Sequence, residues 1–255
     1  MKLDVRGLAV RFGGVAALTG VTFSVRAGTI TSLIGPNGAG KTTAFNAITG
    51  YLRPHAGRIV YEGTSLTGLR PSAIARLGVV RTFQKTSVFP TLSVLDNVMT
   101  GLHLRGTSQL SSILLAARRV RVEEARLRGE ANEIIDFVGL ASRRHEVASA
   151  LPYGEQRLVE IAVALAARPQ LLLLDEPAAG MSGAEKDTVS ALIHRIRDQG
   201  VTVLLVEHDM RLVMGISDTV IVLHHGAVIA EGSPATVRSN ADVIRAYLGA
   251  AVATA

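Results

Sequence analysis

Ile30-Thr31-Ser32-Leu33-Ile34-Gly35-Pro36-Asn37-Gly38-Ala39-Gly40-Lys41-Thr42-Thr43 is the stretch that decides the fold. A short apolar run gives way to a glycine-rich loop, and residues 42–49 then read as a helix closed by Gly50 in the C′ position. The loop has the spacing G-x-x-x-x-G-K-[ST] and stands between a strand and a helix, as that pattern requires. Its glycines can adopt backbone angles closed to other residues. Successive amide N–H groups can then turn inward toward a polyphosphate, beside the positive end of a helix dipole. On this reading Lys41 bridges the β- and γ-phosphates. The Thr42 hydroxyl faces Mg²⁺, a small hard cation usually shared between protein oxygens and substrate phosphates.

The wholly apolar run 171–174 reads as a strand buried on both faces, and Asp175 and Glu176 follow directly at its carboxyl end, where ligands gather in open α/β sheets. An acidic pair after an apolar run equally fits a solvated strand end; the phosphate loop upstream favours the functional alternative. Asp175 is expected to hold Mg²⁺, mostly through water, and Glu176 to accept the proton of the water that attacks the γ-phosphate. A second buried strand, 201–206, leads to His208, which is placed to donate a hydrogen bond to the γ-phosphate. His224 and His225 fall in a hairpin turn and read as structural.

Further out, residues 3–10 and 21–26 read as half-exposed strands, and 57–63 as another. Short strands alternating with amphipathic helices argue for an α/β layered fold around a mainly parallel sheet. From 88 to 160 strand signals vanish, and the chain reads as helices broken near Gly101, Gly106 and Gly139. The expected division is a core of 1–87 with 161–255 and a helical insert of 88–160. A helix over 184–199 ends at Gly200, and 220–223 with 227–230 forms a hairpin.

At 255 residues, 48% of them hydrophobic, the chain can fill one large core or two small ones. Its longest apolar runs, 161–167 and 171–174, fall far short of the roughly 18 residues that span a bilayer, and the charged N-terminus lacks a secretory signal. A cytoplasmic chain is expected. Zero cysteines exclude disulfides, thiolate metal sites and cysteine nucleophiles. The net charge of +6 is spread along the chain. Its one arginine cluster, 118–128, is interleaved with Glu123 and Glu124 and followed by Glu130, which reads as a solvated helix face. Few aromatics flank these arginines, so stacking on nucleic-acid bases has little to work with, and no nucleic-acid partner is expected.

Leu151-Pro152-Tyr153-Gly154-Glu155-Gln156-Arg157, upstream of Asp175, resembles the LSGGQ signature of ABC ATPases. The other elements of that family stand in the same order: an aromatic at Phe12, the phosphate loop, Gln84 closing Arg81-Thr82-Phe83-Gln84, the acidic strand and His208. The resemblance implies an α/β P-loop NTPase (RecA-like) core with an N-terminal antiparallel β-subdomain and an inserted α-helical subdomain. It implies an ATPase using ATP and Mg²⁺, in which two ATPs are sandwiched between two subunits. Residues 35–43 (Gly35, Pro36, Asn37, Gly38, Ala39, Gly40, Lys41, Thr42 and Thr43) would hold the phosphates and Phe12 would stack on adenine. Thr42, Gln84 and Asp175 would serve the metal, and Glu176, His208 and Gln84 the chemistry. Tyr153, Gly154 and Glu155 would face the nucleotide of the other subunit.

Departures stand beside these matches. Pro152 replaces the signature serine, Glu155 its glutamine, and Ser182 occupies a loop position commonly held by Asp. More narrowly, Arg81–Gln84, Tyr153–Gln156, Glu207-His208-Asp209-Met210, residues 213–218 and the closing 242–249 look like the ATP-binding subunits of bacterial branched-chain amino acid importers. That likeness implies a second ATPase subunit (a copy or a paralogue, head to tail), membrane permeases, and indirectly a periplasmic solute-binding protein. The chain would then sit on the cytoplasmic face of the inner membrane. The rival readings are the ATPase of a lipopolysaccharide-type exporter, a soluble ABC ATPase without a membrane partner, and a module that binds nucleotide without hydrolysing it.

Overall fold

The computed structural model describes the backbone of residues 1–82, 88–103 and 117–252, and the chain divides into two compact units, 1–81 with 170–255 and 82–169. The expected boundary after residue 160 falls inside the helix Tyr153–Ala166, so the second unit is longer at both ends than the sequence suggests.

The first unit holds two sheets. β1 (Leu3–Phe12), β2 (Val15–Val25), β4 (Ala56–Tyr61) and β5 (Thr64–Ser65) form an antiparallel sheet in the order β2-β1-β4-β5. Leu3 and Val5, then Leu8 and Val10, are buried along β1; the alternation changes phase between Val5 and Leu8, where the register with β2 shifts beside Gly7 at φ +58°. The second sheet has the order β10-β9-β3-β8-β7-β6, from β3 (Ile30–Ile34), β6 (Val79–Arg81), β7 (Leu171–Asp175), β8 (Thr202–Val206), β9 (Thr219–His224) and β10 (Ala227–Gly232). All its pairings are parallel except β9 with β10. Every residue of β3, β7 and β8 is buried, which explains the near-continuous apolar runs of β7 and β8, while β3 buries Thr31 and Ser32 between its apolar residues. Removing one such side chain, as in Leu173→Ala, would cost about 2–5 kcal/mol.

Register decides where the chemistry gathers. Val206 lies opposite both Leu33 and Asp175, so the segments leaving β3, β8 and β7 emerge side by side on one edge of the sheet. After β3 come the glycine-rich loop and α1 (Lys41–Ile48), whose Ala44, Phe45 and Ile48 pack into the core. α2 (Pro71–Arg76) carries Pro71 in its first turn, where a missing N–H is harmless.

The second unit is helical among its described residues: α3 (Val94–His103), α4 (Ala117–Phe137), α5 (Tyr153–Ala166) and two short 3₁₀ turns. Gly101 does not break a helix, as the sequence suggested. It lies within α3, where an added Cβ would come within 2.4 Å of the Val163 carbonyl oxygen. It is there to let α3 and α5 approach closely. Gly139, at φ +87°, does terminate α4, while Gly106 lies outside the described residues. In the part of the arginine-rich stretch whose side chains are described, Arg126 and Arg128 are exposed and form Arg126–Glu130 and Glu124–Arg128 pairs along the helix.

Four described helices complete the first unit after β7. α6 (Gly183–Asp198) is followed by α7 (Met210–Ile216) and, past the β9–β10 hairpin, by α8 (Pro234–Arg238); α9 (Ala241–Val252) closes the described chain. Val243 and Tyr247 of α9 pack on Ile34, the last residue of β3.

Candidate functional site

The loop from Gly35 to Gly40 can be built only from glycine at two of its corners. A Cβ on Gly35 would lie 2.1 Å from the Leu223 carbonyl oxygen, and one on Gly40 would lie 2.6 Å from Leu18 and 2.7 Å from the Ala17 carbonyl oxygen. Gly38, at φ +78°, faces open space instead. The loop is braced by an Ala39 N–H bond to Pro36 O at 3.1 Å and by Gly226 N–H to Ala39 O at 3.1 Å. Gly40 caps α1 in a left-handed conformation, without a side-chain hydrogen bond and without an acid in the first turn. The positive end of this helix is therefore not neutralised from within.

Lys41 is buried, and its Nζ donates to Gly35 O at 2.7 Å and Pro36 O at 3.0 Å. Burial pushes its ammonium below the ordinary lysine value, and the Glu176 and Asp175 carboxylates work against that shift. Thr42 is exposed in the first turn, with Thr43 half-buried behind it. Phe12, 54% exposed at the end of β1, offers a ring face beside the Gly13–Gly14 turn. At the other end of the loop, burial pushes the Tyr247 phenol of α9 up to about 12, with a smaller opposing pull from the Gly35 backbone.

Asp175 closes β7 and is buried; its Oδ2 accepts from the Arg81 guanidinium at 2.7 Å. Glu176 follows in a left-handed conformation, φ +50°, with its N–H bonded to Val206 O at 2.9 Å. Such backbone strain in a non-glycine residue costs on the order of 1–3 kcal/mol and tends to collect at functional sites. The Oε1 of Glu176 lies 2.8 Å from Nε2 of the exposed His208. A carboxylate at that distance can hold the imidazole orientation and share a proton with it. Behind them, buried Glu207 accepts from the backbone N–H groups of Ala178 at 2.9 Å, His208 at 2.8 Å and Asp209 at 3.2 Å. One carboxylate thus ties the loop after Glu176 to the loop that carries His208. The sequence reading quoted Arg81 and Glu207 only as letters of motifs and gave neither a role of its own.

Thr42, exposed in the first turn of α1, and Asp175 and Glu176 at the end of β7 supply oxygen donors of the kind a hard cation needs, on the sheet edge to which β3 also leads. The residues present therefore fit Mg²⁺. Gln84 lies outside the described residues.

In the other unit, α5 begins at Tyr153, with Pro152 as its N-cap. Pro152 and Tyr153 are exposed and Gly154 is buried. Glu155, an acid in the first turn, pairs with Arg143 at 3.1 Å. Tyr153 is held by Arg157, whose Nε and Nη2 donate to its hydroxyl at 3.1 and 2.9 Å. Ser182 caps α6 in a capping box with Glu185, which gives a physical reason for serine at this position.

A sequence model of the ABC transporter family matches residues 18–179, and that of the branched-chain amino acid ATP-binding cassette transporter matches residues 227–253. The high-affinity branched-chain amino acid transport ATP-binding protein BraF of Pseudomonas aeruginosa is 43% identical over 250 residues, covering 98% of each chain. LivG of Escherichia coli, of the same description, is also 43% identical over 98% of each chain. Among solved structures, a nucleotide-free ATP-binding cassette from an ABC transporter superposes with a TM-score of 0.85 at 32% identity, over 96% of this chain and 98% of that one. The phosphate loop, the acidic strand end and this kinship agree: the chain belongs to the ABC transporter ATPases, within the group that contains BraF and LivG.

Proposed function

We propose that this ATPase drives import of branched-chain amino acids through membrane permeases that it contacts from the cytoplasmic side. It would work in a head-to-tail pair with a copy or a paralogue, and a periplasmic binding protein would deliver the solute. The reading is carried by the convergence of the phosphate loop, Asp175, Glu176 and His208 on one sheet edge, with Glu176 and His208 2.8 Å apart. Among the described residues no helix is long and apolar enough to cross a membrane.

The backbone amides of residues 35–43 and Lys41 would grip the polyphosphate, and Phe12 would stack on the adenine. Mg²⁺, when bound at Thr42, Gln84 and Asp175, would neutralise charge on the β- and γ-phosphate oxygens. Glu176 would accept the proton of the attacking water, and His208, oriented by Glu176, would donate to the γ-phosphate. Tyr153, Gly154 and Glu155 would face the partner's nucleotide. The identity over 98% of BraF and LivG supports the solute class over the exporter reading.

The test is ATP turnover in nanodiscs, with and without the permeases and the paralogue, as leucine, isoleucine and valine are titrated in with the binding protein. Stimulation by these amino acids is expected. Turnover that needs the permeases but ignores the amino acids would reject the solute, and indifference to every membrane partner would reject the transport reading.

A further inference from the structure

Arg81 was legible in the sequence only as the first letter of a motif, yet its guanidinium is engaged on three sides. Its Nη2 donates to Asp175 Oδ2 at 2.7 Å and its Nη1 to Asn46 Oδ1 at 2.7 Å, while its carbon centre lies 5.4 Å from the Phe45 ring centroid. The pair is buried, with side-chain exposures of 6% for Arg81 and 2% for Asp175. Asn46 and Phe45 belong to α1, the helix that carries Lys41 and Thr42, whereas Asp175 ends β7. Arg81 itself stands opposite Leu173 on β6, two positions short of Asp175, so its long side chain reaches along the sheet toward the strand end. One planar group therefore spans the phosphate-loop helix and the acidic strand end.

A buried ion pair contributes little to stability once desolvation is counted, and apolar replacements often do as well. Stability is thus a poor reason for this one. Geometry offers a better reason. A carboxylate on a single torsion can turn, and Asp175 has a second carboxylate, Glu176, next to it. A guanidinium fork fixed at its other end by Asn46 holds one oxygen of Asp175 in place. Lysine donates from a single nitrogen and lacks the planar fork, so it cannot hold both partners at the spacing that the guanidinium sets.

We propose that Arg81 is a positioning residue for the magnesium site: it acts through Asp175, fixing that carboxylate relative to the helix that carries Thr42. The inference rests on the reading of Asp175 as a metal-holding residue.

Thermodynamic linkage makes this measurable without turnover, because Mg²⁺ tightens ATP binding by the same factor by which ATP tightens Mg²⁺ binding. The affinity of the full-length chain for a fluorescent ATP analogue would be measured with Mg²⁺ and with EDTA, and the ratio of the two taken. Arg81→Gln is expected to shrink that ratio by about tenfold, the size of a lost charge-assisted hydrogen bond, with the EDTA affinity unchanged. Arg81→Lys should shrink it by about threefold, since the charge survives while the planar fork is lost. In an Asp175→Asn background, Arg81→Gln should change the ratio no further.

A parental ratio in folded Arg81→Gln, or an equal loss in the Asp175→Asn background, would overturn the proposal. If Arg81→Gln fails to fold, Arg81→Lys decides alone: a parental ratio there would overturn it. If Asp175→Asn itself leaves the ratio unchanged, the reading of Asp175 falls. If Asp175→Asn shrinks it and Arg81→Gln does not, only the role of Arg81 falls.

Discussion

Two helix N-termini matter for the proposed chemistry, and they are built in opposite ways. α1 opens with Gly40, Lys41 and Thr42, without an acid, so its free N–H groups and dipole have no internal partner. α5 opens with Pro152, Tyr153, Gly154 and Glu155, and so brings its own anion, which Arg143 in turn engages. The first is a site waiting for negative charge. The second is already balanced, and its Gly154 is buried. The difference teaches that, on the proposed function, α1 would supply the charge that holds a polyphosphate and α5 would supply geometry more than charge.

The strongest way to break this comparison is to separate chemistry from binding inside the first unit. Glu176→Gln should lower turnover by about 10²–10⁴-fold, the usual span for losing a general base, and keep MgATP affinity within error. Single-turnover assays beside equilibrium binding check it, and parental hydrolysis would refute Glu176 as the base. Next in size, Lys41→Ala should weaken ATP binding by about 10–100-fold, because a charge-assisted phosphate contact goes. Calorimetry that finds tight binding retained would place the phosphates elsewhere.

Glu155→Gln sharpens the contrast from the other side. Removing the anion from the first turn of α5 should strengthen ATP-dependent association of two chains by about two- to fivefold, the scale of a helix-dipole contact. ATP binding by the single chain should stay put. Sedimentation with and without ATP measures both, and unchanged association would mean that α5 does not approach the partner's nucleotide. The smallest effect belongs to a helix that meets no ligand: Ser182→Ala should remove a capping box worth about 1 kcal/mol and lower Tm by a few degrees.

The same contrast governs what could be read from the sequence. β7 and β8 were legible because burial on both faces writes apolar runs. The phosphate loop was legible because its backbone demands glycine at fixed spacing. β6 was not, since three residues, Val79–Arg81, are too few to carry a period. The Arg81–Asp175 bond joins residues far apart in sequence and exists only because β6 and β7 pair. Glu207 was read as part of a motif, but three backbone donors converging on it from two loops leave no sequence trace. Ser182 shows the opposite failure: Ser-x-x-Glu was legible as a cap, yet the family comparison drew attention to the Asp it lacks. Gly101 was taken for punctuation when its role is to make room.

Gly226 has a consequence for spacing. Its N–H bonds the Ala39 carbonyl of the loop, its carbonyl accepts from Thr19 N–H of β2, and a Cβ there would meet the Ala17 carbonyl oxygen at 2.7 Å. The hairpin that presents Phe12 and the loop that presents Lys41 are thus riveted through one residue. If Phe12 stacks on a ring and Lys41 grips phosphates, as proposed, the span between those two contacts is fixed by the fold before any ligand arrives.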